Sequence, residues 1–342
     1  MNSKLAMALD VLFRNYWRGR LGIWGKFLDS LLFLLEALYR VCVKWRISAY
    51  KHQWLPTVTL DVPVISVGNL AIGGTGKTPF SRWIYEQALQ MEFVPGVISG
   101  AMARDECELY NLWNPGGIFI KDRSKTKGAI VAVSRGAGLI IIDDGFQHLG
   151  LKRDLNIVMI AAEHQYSEKC LPRGILREPF SGLDRADFVI ITRKTVEQVV
   201  AQRVVRDIET HVSRKQIGQI HLRFSSWKNI EGDTVPGPVG RILIFTSIAE
   251  PEILIELVES ITLRKTEAKI YPDHYEFKRI DLQYLKAKAE DYNIVTTEKD
   301  AVKLKRLGEI GRNIFVLHLD LEWEMGEQAM MELLDQQTRS FW

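Results

Sequence analysis

Residues 62–79 read VPVISVGNLAIGGTGKTP, which predicts a strand, a glycine-rich loop and the start of a helix. The first seven residues form an apolar, β-branched run that ends in glycine, as expected of a buried strand. Pro79 suits the first turn of the helix that follows. Gly-Lys-Thr between a strand and a helix is the context of a P-loop, so the stretch predicts a phosphate-binding site in an α/β protein. The loop residues are Gly73, Gly74, Thr75, Gly76, Lys77 and Thr78.

Each residue type in such a loop is expected to make a particular contact with phosphate or metal. Glycines let backbone N–H groups surround phosphate oxygens, and the helix N-terminus adds positive potential. Lys77 would reach the β- and γ-phosphates, and Thr78 would bind Mg²⁺. The pattern G-x-x-x-x-G-K-[ST] is broken at its first glycine, where this chain has Ala71. A glycine-rich turn without a ligand is the alternative, and the flanking strand and helix argue against it.

A second apolar run, residues 138–142, ends in Asp143 and Asp144. Open α/β sheets bind ligands at the carboxyl ends of their strands, where these two carboxylates would lie. They are therefore expected to support a metal ion directly or through water. The alternative is an Asp-Asp-Gly turn with no metal, which the upstream P-loop disfavours.

The remaining pattern predicts an α/β fold with a mostly parallel sheet covered by helices, because apolar strands alternate with helical stretches. A length of 342 residues exceeds one typical domain. The turn-rich stretch at 232–240 predicts a boundary between a P-loop domain, residues 53–232, and a smaller α/β domain, residues 233–342. Three well-separated cysteines exclude a disulfide framework and a cysteine-based zinc finger.

The first 52 residues differ in charge from the rest of the chain. They hold nine basic and three acidic residues, whereas the other 290 hold 36 basic and 39 acidic. Apolar side chains between Trp24 and Trp45 recur at spacings of three and four, which predicts an amphipathic helix. A basic helix of this kind suits the surface of an anionic phospholipid membrane, and the alternative is ordinary packing on the protein's own core. The apolar runs are too short to span a bilayer.

Several blocks of sequence occur in an order seen in one family. The chain resembles the tetraacyldisaccharide 4'-kinases in VPVISVGNLAIGGTGKTP (62–79), DDGFQH (143–148), LPRGILREP (171–179), YPDHYEF (271–277) and TTEKDAVKL (296–304). The P-loop of that family also lacks the first glycine, so Ala71 agrees with the resemblance.

The resemblance implies a kinase that transfers the γ-phosphoryl group of ATP, with Mg²⁺, in lipid A biosynthesis. The acceptor would be the 4'-hydroxyl of a tetraacylated glucosamine disaccharide 1-phosphate, a lipid disaccharide substrate. It also implies a peripheral location at the cytoplasmic face of the inner membrane. Residues 1–52 would then be the membrane-surface segment, because an acylated substrate lies in the bilayer.

The resemblance also implies site residues. Lys77 and Thr78 correspond to phosphate and Mg²⁺ contacts, and Asp143 and Asp144 to the acidic pair near the metal. Glu178, the acid of LREP, is similar to a residue that can join the metal ligands.

A dyad of aspartate and histidine is implied as the acceptor of the hydroxyl proton. His274 matches the histidine, and Asp105 is the matching aspartate. The segment 99–106 is shorter than the family pattern, which leaves the alignment of Asp105 open and could mean a divergent acceptor site or reduced activity.

Two other functions stay open at this point: a regulatory P-loop ATPase, and a nucleotide-binding member of the kinase family with reduced or lost activity. A GTPase is not supported, because Thr297-Glu-Lys-Asp300 has the wrong order for guanine selection. A partitioning-type ATPase would carry lysine where this chain has Ile72. Nucleic-acid binding is not expected from an acidic body without an aromatic and basic platform.

Overall fold

The computed structural model describes residues 12–100, 104–164, 166–212, 216–308, 313–339 and 341. Residues 1–11 of the predicted membrane segment and residues 101–103 of the shortened segment therefore lie outside the described residues. The described chain forms a sheet of twelve strands, most of them parallel, with helices packed against it. The predicted α/β fold with a mostly parallel sheet is confirmed.

The first part of the chain builds the sheet around the P-loop strand, β1, which is buried along its whole length. Its elements are residues 12–17 (α1), α2 (Gly22–Lys51), β1 (Val64–Asn69), α3 (Lys77–Gln90), β2 (Pro95–Gly100), α4 (Arg104–Trp113), β3 (Ile118–Asp122), α5 (Lys125–Ser134), β4 (Leu139–Asp143), β5 (Leu155–Ala161), a 3₁₀ helix (Phe180–Arg185), β6 (Phe188–Arg193) and α6 (Gln198–Ile208). Strands β1, β4, β5 and β6 are apolar and almost entirely buried, as central parallel strands with helices on both faces are.

The second part adds six strands, and its last helix packs against the first part. Its elements are β7 (Ile217–Lys228), β8 (Thr234–Val235), β9 (Ile242–Thr246), α7 (Pro251–Thr262), β10 (Glu267–Ile270), α8 (Arg279–Lys288), β11 (Asn293–Thr297), α9 (Glu298–Lys305), β12 (Ile314–Met325) and α10 (Glu327–Arg339). Met330 and Leu334 of α10 lie in the same apolar cluster as Phe80 and Ile84 of α3. The division of the chain at residue 232 stays a prediction.

An antiparallel ribbon joins the two parallel parts of the sheet. The strand order is β10-β9-β11-β12-β7-β6-β5-β1-β4-β2-β3. The first residues of β7 pair in parallel with β6, and the first residues of β12 pair in parallel with β11. Between these contacts β7 and β12 pair with each other in antiparallel register. All parallel strands on either side can therefore direct their carboxyl ends toward one cleft.

Helix α2 turns its apolar stripe away from the protein. Trp24, Leu31, Leu38 and Trp45 are 75, 61, 62 and 60% exposed. The interpretation that this stripe packs on the protein's own core is therefore wrong. None of the helices in the described ranges is both long enough and apolar enough to cross a bilayer.

Polar side chains of α2 face the body instead. Asp29 pairs with Lys169 and Arg173, at 2.6 Å in each case. Glu36 is 4% exposed and accepts a hydrogen bond of 2.8 Å from the backbone N–H of Cys170. Because a buried carboxylate is stable only with such partners, these contacts set the orientation of the helix.

We expect Glu36→Ala to loosen the contact between α2 and the segment that contains Cys170. The variant leaves a buried N–H without its acceptor, a loss worth about 1–3 kcal/mol. Hydrogen exchange of the Cys170 amide should therefore accelerate roughly tenfold or more. Glu86→Ala, which removes a carboxylate paired with Arg82 within α3, is the matched control and should leave that amide unchanged.

Candidate active site at the carboxyl ends of the strands

The loop between β1 and α3 has a geometry that only glycine satisfies at one position. Gly76 has a φ of 79°, and a Cβ there would lie 2.8 Å from Cδ1 of Leu222. The side chain of Asn69 donates to Oγ1 of Thr75 at 3.0 Å, and Thr192 donates to the carbonyl of Thr75 at 3.2 Å. The loop is therefore fixed to the ends of β1 and β6 before any ligand binds.

The lysine and threonine of the P-loop face acidic side chains. Nζ of Lys77 lies 3.4 Å from Oδ1 of Asp144, which also accepts two 2.9 Å hydrogen bonds from Arg177. Oγ1 of Thr78 donates to Glu106 at 3.5 Å. The structure thus brings the predicted phosphate contacts next to one member of the predicted acidic pair, and adds Glu106, which sequence reasoning did not assign to the site.

Asp143 occupies a different environment from its neighbour. It is 1% exposed and accepts a 3.2 Å hydrogen bond from the hydroxyl of Tyr110. Burial, together with repulsion from Glu106, raises the pKa of Asp143 to about 7. The charges of Lys77 and Arg177 outweigh burial at Asp144 and hold its pKa well below the usual range.

Asp105 and His274 meet across the cleft although 169 positions separate them in sequence. Nδ1 of His274 lies 3.2 Å from both carboxylate oxygens of Asp105. The aspartate side chain is 5% exposed, whereas the imidazole is 33% exposed and reaches the open cleft. Burial alone would raise the pKa of Asp105, but the hydrogen bond from His274 and the charges of Lys299 and Lys303 hold it well below its usual range. The hydrogen bond to Asp105 raises the pKa of His274 above 6.5.

The backbone of His274 is also constrained. Its φ is 55°, an uncommon conformation for a residue with a Cβ, and its N–H donates to the carbonyl of Ser247 at 3.1 Å. The buried Asp300 accepts hydrogen bonds from the N–H and Oγ of Ser247, at 3.0 and 2.6 Å. The turn after β9 therefore determines where the imidazole stands.

Helix α9 supplies the cations that sequence reasoning left unassigned. Lys299 lies 2.6 Å from Glu106. Lys303 is 2% exposed and lies 2.8 Å from Asp300 and 3.7 Å from Asp105. The resemblance includes TTEKDAVKL as one block and assigns no role to its lysines. Only the structure indicates which acids these lysines pair with.

Glu178 lies apart from the predicted metal site. It is 3% exposed, its carboxylate pairs with Arg185, and it does not line the cleft. Within the described ranges, no three His, Cys, Asp or Glu side chains are arranged to hold a metal ion. The predicted set Thr78, Asp143, Asp144 and Glu178 is therefore not assembled as one group of ligands.

The cleft itself has a volume of about 1660 Å³. Pockets for one small ligand commonly occupy about 300–1,000 Å³, so this cleft has room for more than one. The P-loop, Asp105 and His274 all line it, together with Arg14 and Arg18 from the N-terminal segment.

Comparison with known proteins identifies the family of this chain. The family model described as LpxK, tetraacyldisaccharide-1-P 4'-kinase, matches residues 28–110 and 101–339. A tetraacyldisaccharide 4'-kinase from Syntrophotalea carbinolica is 31% identical over 81% of this chain and 84% of its own length. Another, from Pelodictyon phaeoclathratiforme, is 28% identical over 80% of this chain and 87% of its own.

Solved structures share the fold. A crystal structure of LpxK from Aquifex aeolicus in complex with ATP has a TM-score of 0.70 and 24% identity, and the likeness covers 91% of this chain and 99% of that one. The family model matches most of the sequence, and one relative is 31% identical over 81% of the chain. The chain therefore belongs to the tetraacyldisaccharide 4'-kinase family of enzymes.

Proposed function

We propose that this kinase transfers the γ-phosphoryl group of ATP to the 4'-hydroxyl of a tetraacylated glucosamine disaccharide 1-phosphate in lipid A biosynthesis. The observation that carries the proposal is the contact between His274 and Asp105, which line the same cleft as the P-loop. Phosphoryl transfer requires positioning, neutralisation of charge and a base for the acceptor hydroxyl. The names of the relatives support the identity of the acceptor.

The residues present fit ATP and Mg²⁺. The backbone of residues 73–76 and the side chain of Lys77 would hold the phosphates. The hydroxyl of Thr78 and the carboxylates of Asp143 and Asp144 are hard oxygen donors of the kind that Mg²⁺ prefers. Mg²⁺, when bound, neutralises charge on the phosphate oxygens. Glu106, 3.5 Å from Thr78, is better placed than Glu178 to support this group.

His274 and Asp105 would have different roles in proton transfer. The half-buried imidazole of His274 would accept the hydroxyl proton, and the buried carboxylate of Asp105 would orient the ring and stabilise its positive charge. Because Asp105 raises the pKa of His274, the ring accepts a proton more readily than an isolated histidine does.

The exposed stripe of α2 supports a peripheral location at the cytoplasmic face of the inner membrane. Its apolar residues could enter the headgroup region, while the basic residues of segment 1–52 would attract anionic phospholipid. Arg14 and Arg18 of the same segment line the cleft, so a docked lipid disaccharide would have a short path to the site.

The first expectation concerns Lys77→Ala. Loss of the phosphate contact should reduce formation of phosphorylated lipid disaccharide by roughly 10²–10³-fold. Mass spectrometry of the product, with Mg-ATP and the disaccharide lipid, measures this. Lys127→Ala, which removes an exposed lysine of α5, is the control. A regulatory ATPase would instead hydrolyse ATP at the same rate with and without lipid and would yield no phosphorylated lipid. That outcome would contradict the proposal.

The second expectation concerns the pKa of His274. Asp105→Asn replaces the charged acceptor of this hydrogen bond with a neutral amide, so the pKa of His274 should fall toward 6.5, measured by NMR titration of the imidazole. Asp273→Asn is the control and should have a smaller effect, since Asp273 lies 3.9 Å from Nε2. The raised pKa means that the contact stabilises the fold below pH 6.5, and that this contribution is lost as the pH rises through the folded-state value. An unchanged pKa in Asp105→Asn would show that the pair is not coupled.

The third expectation concerns the membrane. The double variant Leu31→Glu and Leu38→Glu should lose co-sedimentation with anionic vesicles, and binding of the unaltered protein should weaken with salt. Leu263→Glu, at another exposed leucine, is the matched control. Point variants are preferable to deletion because Asp29 and Glu36 connect α2 to the body. Vesicle binding that survives in the double variant would contradict the proposed contact surface.

A further inference from the structure

A carboxylate from the second part of the chain lies against the glycine loop. Glu250, in the turn between β9 and α7, has a side chain that is 12% exposed. A Cβ built on Gly73 would lie 2.9 Å from its Oε1, and one on Gly74 would lie 3.0 Å from its Oε2. In a P-loop, phosphate oxygens bind next to such glycines. Here the carboxylate oxygens of Glu250 occupy that position.

An imidazole and an ammonium group from the first part of the chain hold this carboxylate. His164, which follows β5, forms a hydrogen bond through Nε2 to Oε1 of Glu250. Lys194, which follows β6, lies 3.6 Å from Oε2 and donates to the carbonyl of Gly74 at 2.5 Å. The two side chains are 11 and 14% exposed. Nδ1 of His164 is buried without a hydrogen-bond partner among the described residues.

Glu250 is ionised in this position. Burial would raise its pKa, but the hydrogen bond from His164 and the charge of Lys194 lower it to about 2. The neighbouring residues on the same turn have other partners. The guanidinium of Arg14 donates to the carbonyl of Ala249 at 2.6 Å, and Glu252 pairs with Arg18. Contacts on both sides of Glu250 therefore also hold this turn at the cleft.

We propose that His164, Lys194 and the backbone of Gly73 and Gly74 form an anion subsite for a phosphate group of the nucleotide, which Glu250 fills until the nucleotide binds. The inference rests on the proposed nucleotide site at residues 73–78 and adds two side chains to it. A carboxylate and a phosphate both present anionic oxygens, and the same donors cannot serve both. Nucleotide binding therefore displaces Glu250.

The displacement has a measurable consequence. The apparent affinity for a ligand is reduced by the fraction of molecules whose site is open. If Glu250 fills the subsite in about nine molecules of ten, Glu250→Gln tightens ATP binding about tenfold. Adenosine, which has no phosphate, binds equally to both proteins.

The experiment is a calorimetric titration of the full chain with Mg-ATP in the absence of lipid. Glu252→Gln is the matched control, since it removes a carboxylate from the same turn that pairs with Arg18, and its Kd for ATP should equal that of the unaltered protein. Glu250→Asp, whose side chain is one methylene shorter, should show intermediate tightening and provides a second variant. Adding Lys194→Gln to Glu250→Gln should weaken ATP binding several-fold relative to Glu250→Gln alone.

An unchanged or weaker affinity for ATP in both Glu250 variants would overturn the displacement. Equal affinities in Glu250→Gln and in the double variant would overturn the role of Lys194 in the subsite. The titration contains no lipid, so its outcome is independent of the acceptor. Failure of lipid phosphorylation with these affinity changes intact would remove the proposed acceptor and leave the subsite standing.

Discussion

Compensation of buried negative charge is the constraint on which the cleft depends. Asp105 and Glu106 lie in the first turn of helix α4, and their side chains are 5 and 14% exposed. An unpaired buried carboxylate costs several kcal/mol, so each needs a cation at close range. Lys299 and Lys303 provide these charges from α9, a helix nearly two hundred residues further along the chain. The two parts of the sheet are therefore held together electrostatically at the cleft as well as through the β7–β12 ribbon.

The turn after β9 is where the separate parts of the molecule meet. Ser247 positions the backbone of His274, and Glu250 lies against the P-loop. Ala249 and Glu252 receive Arg14 and Arg18 from the N-terminal segment. Three proposed events, nucleotide binding, proton transfer and membrane docking, would therefore act on one short turn.

Predictions from sequence succeeded where the chemistry is local. The glycine loop, the strands before it and before Asp143, and the helical period of α2 depend on neighbouring residues, and the structure contains all of them. The sequence did not predict the antiparallel ribbon, because β7 and β12 are long strands that mix polar and apolar residues. Their strand structure follows from their pairing with each other. His164 and Lys194 carry no motif. Their relevance comes from the approach of Glu250, which no spacing in the sequence indicates.

The sequence by itself determined the phosphate-binding loop, the α/β class and the family, because these depend on residue order over short distances. The resemblance implied a dyad of Asp105 and His274 with the alignment of Asp105 left open, and the tertiary structure brings the two side chains to 3.2 Å. Tertiary structure alone decided that Glu178 pairs with Arg185. It also decided which way α2 faces. Periodicity shows that a helix has an apolar stripe but not what lies opposite it. Ion pairs of Asp29 with distant residues bury the polar side, and the apolar stripe is consequently left exposed.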